Sequence, residues 1–218
     1  MRVGIIGTGM VGRALGGKLV ELGHEVMLGS RTEQNPTAVA WAQQAGEKGS
    51  HGTFAEAAAF GELLIVAVSG VVAVKALATA GDEHLTGKVL IDVSNPLVFS
   101  PLGEVSLEPV NVDSIGEQIQ RDFPQARVVK ALNTLNCELM VDPSRVPGEH
   151  QVFVAGNDPA AKADVTEVLH SFGWPKESVL DLGDITASRG LEMLMPFWLR
   201  LMNHYGHADF NYSIRSAR

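Results

Sequence analysis

Hydrophobic positions along the chain fall into short apolar runs that alternate with stretches of helical spacing. Residues 3–6 (Val-Gly-Ile-Ile) form an apolar run closed by glycines, the pattern of a strand buried on both faces. Over residues 10–22, Val11, Leu15, Leu19 and Leu22 recur at helical intervals and Gly23 supplies a stop. The alternation continues with strands at 25–28, 51–54, 63–68, 88–93 and 127–131, and with helices at 37–45, 55–60, 71–79 and 113–122. Late strands fall at 151–155 and 178–182, around a helix at 158–172 opened by Asp158-Pro159. Residues 95–112 hold prolines and glycines with no clear period and read as a loop over the carboxyl edge of the sheet. The last helical pattern, 185–204, is unusually apolar, with Leu191, Leu194, Phe197, Trp198, Leu201 and Met202; Pro196 is expected to kink it or divide it.

Strands alternating with helices imply right-handed crossovers and an α/β fold, a doubly wound and mainly parallel sheet with a C-terminal helical extension. The expected division is a nucleotide-binding domain over 1–182 and a helical segment over 183–218, packed on the domain or in a dimer interface. At 218 residues and 45% hydrophobic composition, the chain is long enough to bury its own core. A net charge of −8 argues against nucleic acid or an anionic membrane surface as partner and favours small-molecule ligands. The single Cys137 allows no internal disulfide and fits a reducing compartment, with the cytoplasm the expected location; its surroundings suggest a buried structural thiol. No run reaches the roughly 18 apolar residues of a membrane span, and a strand starting beside Met1 leaves no room for a signal peptide.

The chemistry-bearing motif is Gly7-Thr8-Gly9-Met10-Val11-Gly12, placed between the first strand and the first helix. Gly7 permits a tight turn, Gly9 lets the backbone approach a pyrophosphate, and Gly12 allows close helix packing, so the loop reads as a Rossmann NAD(P)-binding turn at a helix N-terminus. After the second strand, where NAD-binding chains carry Asp or Glu for the ribose, this one has Ser30-Arg31-Thr32. A guanidinium fork flanked by two hydroxyls suits a 2′-phosphate, which selects NADP(H). Ligands of open α/β sheets lie at the carboxyl ends of the strands. That rule adds Val68 and Ser69, Asn95 and Pro96, and Ala131 and Asn133 as cofactor-binding candidates. No nucleophile elbow and no metal cluster is evident, and His204, His207 and Asp209 read as caps or surface contacts, so no catalytic acid or base and no metal ligand is assigned.

These motifs resemble those of the NADPH-dependent coenzyme F420 reductases. The resemblance is carried by Gly7 to Gly12, Gly23-His24-Glu25-Val26, Gly29-Ser30-Arg31, Asp92-Val93-Ser94-Asn95-Pro96-Leu97 and Val128-Val129-Lys130-Ala131-Leu132-Asn133-Thr134. They are also similar to the reductase domain of the six-transmembrane metalloreductases. The resemblance implies hydride transfer between NADP(H) and a deazaflavin or flavin, with Thr8, Ser30 and Arg31 on the nucleotide and Ser69, Asn95, Pro96 and Asn133 near the reacting rings. One departure stands out: the loop after Thr32 reads Glu33-Gln34-Asn35-Pro36, without a lysine to reinforce the phosphate grip. The competing expectations are a pyrroline-5-carboxylate or 3-hydroxyacid type reductase, and an NADP-sensing module without turnover. A homodimer through the C-terminal helix is a further expectation.

Overall fold

The computed structural model describes residues 1–217, so Arg218, the last residue of the expected C-terminal segment, lies outside the described residues. In chain order the elements are β1 (Arg2–Ile6), α1 (Met10–Glu21), β2 (Glu25–Ser30), α2 (Pro36–Ala45), β3 (Gly49–Thr53), α3 (Phe54–Phe60), β4 (Leu63–Val66), α4 (Ala73–Ala80), α5 (Asp82–Leu85) and β5 (Val89–Asp92). They continue with β6 (Leu97–Phe99), β7 (Val105–Leu107), α6 (Ile115–Asp122), β8 (Arg127–Ala131), α7 (Cys137–Val141), β9 (Val152–Gly156), α8 (Pro159–Ser171), β10 (Val179–Asp181), α9 (Ser188–Met193) and α10 (Met195–Tyr205). Eight strands form one sheet in the order β10-β9-β8-β5-β4-β1-β2-β3. All neighbours pair in parallel except β8 and β9, which run antiparallel from Val129 opposite Gly156 to Ala131 opposite Val154.

The two-residue period of the strands sorts the core onto two faces. Val3, Ile5, Leu63 and Ile65 meet α1 and α8 through Leu15, Leu19, Val165 and Leu169 on one face. Ile6, Leu64, Val66 and Leu90 meet Ala76, Leu77, Ile115 and Ile119 on the other. Central strands covered on both sides explain their nearly continuous apolar sequence.

Two expectations need correction, and a third is met. The stretch 95–112 is not wholly a loop: Leu97–Phe99 and Val105–Leu107 pair antiparallel as a separate hairpin. Leu97 and Leu107 pack against Met195, Trp198 and Phe210, so a tertiary contact holds strands too short to show a period. The helical stretch at 185–204 is divided as Pro196 leads one to expect: α9 ends at Met193, α10 begins at Met195 with Pro196 in its first turn, and Leu194 is the junction between them. Cys137 is only half-buried, at the start of the short α7, where burial pushes its thiol pKa up.

The C-terminal segment packs on the sheet. Gln151 N donates to the Tyr212 carbonyl at 3.0 Å, and Asn211 Nδ2 donates to the Gln151 carbonyl at 2.8 Å. Arg145 pairs with Asp209 at 3.0 Å. No helix among the described residues is long and apolar enough to cross a membrane.

Candidate nucleotide and acceptor site

The carboxyl ends of β1, β2 and β4 open onto a groove of about 830 Å³. Gly7, Thr8 and Gly9 form its base, Ser30, Arg31, Thr32 and Asn35 one wall, and Val68, Ser69, Val72, Lys75 and Thr79 the other. Gly7 has φ +133°, and a Cβ there would sit 2.4 Å from the Ala67 carbonyl oxygen. At Gly12 a Cβ would sit 2.5 Å from the Gly7 carbonyl oxygen, so helix and loop close tightly only on glycine. A Cβ at Gly9 would meet nothing within 4 Å. Packing within the chain therefore does not require glycine at that position, whereas a pyrophosphate lying on the loop does.

The start of α1 fits an anion on a second count. Gly9 caps the helix without a side chain, and the first turn holds no acidic residue. By contrast α2, α3, α6 and α8 are capped by Asn35, Thr53, Ser114 and Asp158. The first-turn N–H groups of α1 thus point outward with their partial positive charge unanswered by the chain's own side chains.

The groove wall has a charge pattern that the whole chain does not share. Although acidic residues outnumber basic ones 25 to 17, the groove is lined by Arg31 and Lys75 and by no Asp or Glu. Among the described residues neither cation has an ion-pair partner. Ser30 closes β2, its hydroxyl donating to the Thr32 carbonyl and accepting from Thr32 N at 3.3 Å, which fixes the turn that presents Arg31. Lys75 comes from α4, far along the chain, and no local pattern marks it as facing the glycine loop.

The remaining candidates lie elsewhere. Met10 borders a separate groove between α1, α2 and α7, with Arg13, Trp41 and Cys137. Val11 packs on the core and Gly12 is buried beneath the loop. Ala131 is wholly buried as the last residue of β8. Asn95 and Asn133 meet beyond β5 and β8: Asn95 Nδ2 donates to the Asn133 carbonyl at 2.7 Å, and Asn133 Nδ2 donates to Asn95 Oδ1 at 3.0 Å and to the Leu191 carbonyl at 3.2 Å. The Asn95 carbonyl accepts from Gly70 N at 3.0 Å, joining this pair to the Ser69 edge of the groove. Pro96 is buried at the head of the hairpin. Leu132, buried between Ala131 and Asn133, is held at φ +63°, a conformation unfavourable to a branched side chain.

His204 and His207 flank Tyr205, with ring centroids 5.0 and 5.8 Å from it, and Asp209 pairs with Arg145. No group of metal ligands occurs among the described residues.

A Rossmann-type sheet with an uncapped, glycine-lined helix start and a cationic groove defines a dinucleotide-binding oxidoreductase fold. Residues 2–96 match the profile of the family described as NADP oxidoreductase, coenzyme F420-dependent. A protein from Arthrobacter sp. FB24, assigned as an F420-dependent NADP reductase and solved by crystallography, is 47% identical over 98% of this chain and 99% of its own, with a TM-score of 0.92. Metalloreductase STEAP3 of Rattus norvegicus is 30% identical over 203 residues, covering 90% of this chain; the match spans 38% of the relative's length. A reductive aminase from Aspergillus terreus, solved with NADPH and ethyl levulinate, shares the fold at 21% identity and a TM-score of 0.65, over 94% of this chain and 62% of that one. The chain belongs to the family of coenzyme F420-dependent NADP oxidoreductases.

Proposed function

We propose that the protein is an NADPH-dependent reductase that passes a hydride between NADP(H) and a ring acceptor of the deazaflavin class, coenzyme F420 or a flavin. The observation that carries the choice of nucleotide is the groove: Arg31 and Lys75 face it, and no carboxylate lines it to bind a free ribose 2′-hydroxyl or to repel a 2′-phosphate. In this reading the pyrophosphate lies on Gly7, Thr8 and Gly9 at the start of α1, and the 2′-phosphate beside Ser30, Arg31 and Thr32. The nicotinamide reaches past Val68 and Ser69 toward Asn95 and Asn133. The bound cofactors supply the two-electron chemistry.

The protein's part is to align two rings and keep water from between them. Hydride transfer between two bound rings needs no side chain of the groove as an acid or base. F420 is favoured as acceptor by family membership and by the likeness to the Arthrobacter protein along nearly its whole length. The likeness to a metalloreductase keeps a flavin beside it.

The test is a panel of F420, FMN, FAD and a ferric chelate, each followed by NADPH oxidation, with NADH as the control donor. Fast oxidation with F420 and slow oxidation with the rest is the expected result. Tight NADPH binding with no oxidation by any acceptor would leave a nucleotide-sensing module and overturn the reductase.

A further inference from the structure

Beneath Asn95 and Asn133 lies a buried ion cluster drawn from three elements. Lys130 in β8 is 0% exposed, and its ammonium contacts Asp92 Oδ2 at 2.9 Å, Glu192 Oε1 at 2.7 Å and the Ser94 carbonyl at 2.7 Å. These three acceptors use all three of its protons. Asp92 Oδ1 accepts from Ser94 N at 2.9 Å and from Ser94 Oγ at 2.6 Å. Glu192, on α9, also accepts from Ile115 N at 3.0 Å and Gly116 N at 3.2 Å, at the start of α6. One ammonium thus faces two carboxylates out of reach of solvent, and the surplus negative charge lies against the positive end of a helix.

Every polar group of Ser94 is held by this cluster, which leaves Asn95, the next residue, little freedom. Asn95 passes the constraint to Gly70 through its carbonyl and to Asn133 through its amide. Asn133 returns it to α9 at the Leu191 carbonyl, one residue before Glu192. The exits of β4, β5 and β8 and helix α9 therefore form one closed hydrogen-bonded network. The left-handed Leu132 sits inside it, a backbone state that persists only where the surroundings over-determine it.

Stability alone does not account for such a cluster. Apolar residues of matching volume in place of a buried ion group are often neutral or stabilising, whereas removal of one partner is costly. What the ions supply that apolar groups do not is a fixed direction for each hydrogen bond.

We propose that Asp92, Lys130 and Glu192 are positioning residues that set the floor on which the nicotinamide rests, and that α9, through Glu192, is a working part of the site. This rests on the reading of the strand ends as the place of hydride transfer. The cluster touches neither ring and acts through Ser94, Asn95 and Asn133.

The experiment uses the full chain with NADPH and three readouts: the dissociation constant, the nicotinamide emission of the bound cofactor, and the single-turnover transfer rate to the acceptor that the unaltered protein reduces. Glu192→Gln is expected to hold the NADPH dissociation constant within about threefold, because the phosphate end is untouched, while transfer falls about 10- to 100-fold as the ring loses alignment. Bound nicotinamide emission should move toward that of the free cofactor. The charge-free variant Asp92→Asn with Lys130→Met and Glu192→Gln, which strands no buried charge, should fold and show the same split. Wild-type rate and emission in either folded variant would overturn the proposal, as would affinity and rate falling together with the folded fraction. If the unaltered protein reduces no acceptor, the functional reading fails on that result alone, and the emission still decides whether the cluster orders the nicotinamide.

Discussion

Arg31 and Lys75 line the groove from two different elements, and in the proposed reading they would share the recognition of the nucleotide; they differ in what the sequence discloses. Arg31 stands at a fixed distance after a glycine loop, where a dinucleotide fold places its ribose-reading residue, so its part can be read from spacing. Lys75 has no such landmark; only the packing of α4 beside β4 carries it to the wall of the same groove. Arg31→Glu is expected to weaken NADPH binding about 100-fold, the worth of a charge-assisted hydrogen bond lost and a like charge added, and to leave NADH within a few-fold. Titrations with both cofactors check this, and equal weakening of the two would remove the 2′-phosphate from Arg31. Lys75→Met should weaken NADPH by a smaller factor, about 3- to 10-fold, that shrinks as salt rises, because an exposed cation acts mainly through a screened charge. Gly12→Ala should lower stability by about 1–3 kcal/mol, since its methyl would meet the Gly7 carbonyl at 2.5 Å. Urea unfolding measures that cost without cofactor, and the loop it displaces makes weaker NADPH binding a companion result.

Among the elements, α8 shows how much one cap carries. Asp158 accepts from Ala160 N at 2.8 Å and Ala161 N at 3.2 Å, and its other oxygen accepts from Arg127 Nε at 2.6 Å. Asp158→Ala should cost about 1 kcal/mol, nearly all of it from the cap, because the half-exposed ion pair adds little; thermal or urea unfolding reads it. This helix was legible in the sequence from Asp158-Pro159 and its spaced Val165, Val168 and Leu169. So were β1, α1 and β4, each marked by a strong period or by glycines at its ends, and β8, which follows Pro124. The β6–β7 hairpin was not, because three-residue strands that are half in water carry no alternation to read, and their partners lie on α10. The candidate site divides along the same line: the glycine loop, Ser30-Arg31 and the asparagines follow strand ends that periodicity locates. Lys75 and Glu192 reach the site from helices through packing that no local pattern announces.

At the scale of the whole molecule, α6 and α9 are joined by two glutamates whose acidities move in opposite directions, and this gives stability a pH dependence with a definite sign. The Arg189 guanidinium, bonded to Glu117 at 2.8 and 2.5 Å, holds that carboxyl below the ordinary value of 4.5, against the opposing effect of burial. Its contribution is therefore present above 4.5 and lost as pH falls through the folded value. Burial raises Glu192 above 4.5, the attraction of Lys130 opposing and the charge of Asp92 adding to the rise. Its contribution is full below 4.5 and is lost as pH rises through its folded value. Burial works against the charge of Lys130, but the two carboxylates outweigh it and raise its pKa above the ordinary lysine value. Urea midpoints measured from about pH 3 to pH 8 should therefore separate two variants of the same interface. Glu117→Gln should destabilise the protein at neutral pH by an amount that shrinks toward zero in acid. Glu192→Gln should fare worst against the unaltered protein in acid and recover relative to it as pH rises. Parallel profiles for the two would mean that the carboxyls of Glu117 and Glu192 are not shifted in opposite directions by their partners at the α6–α9 contact.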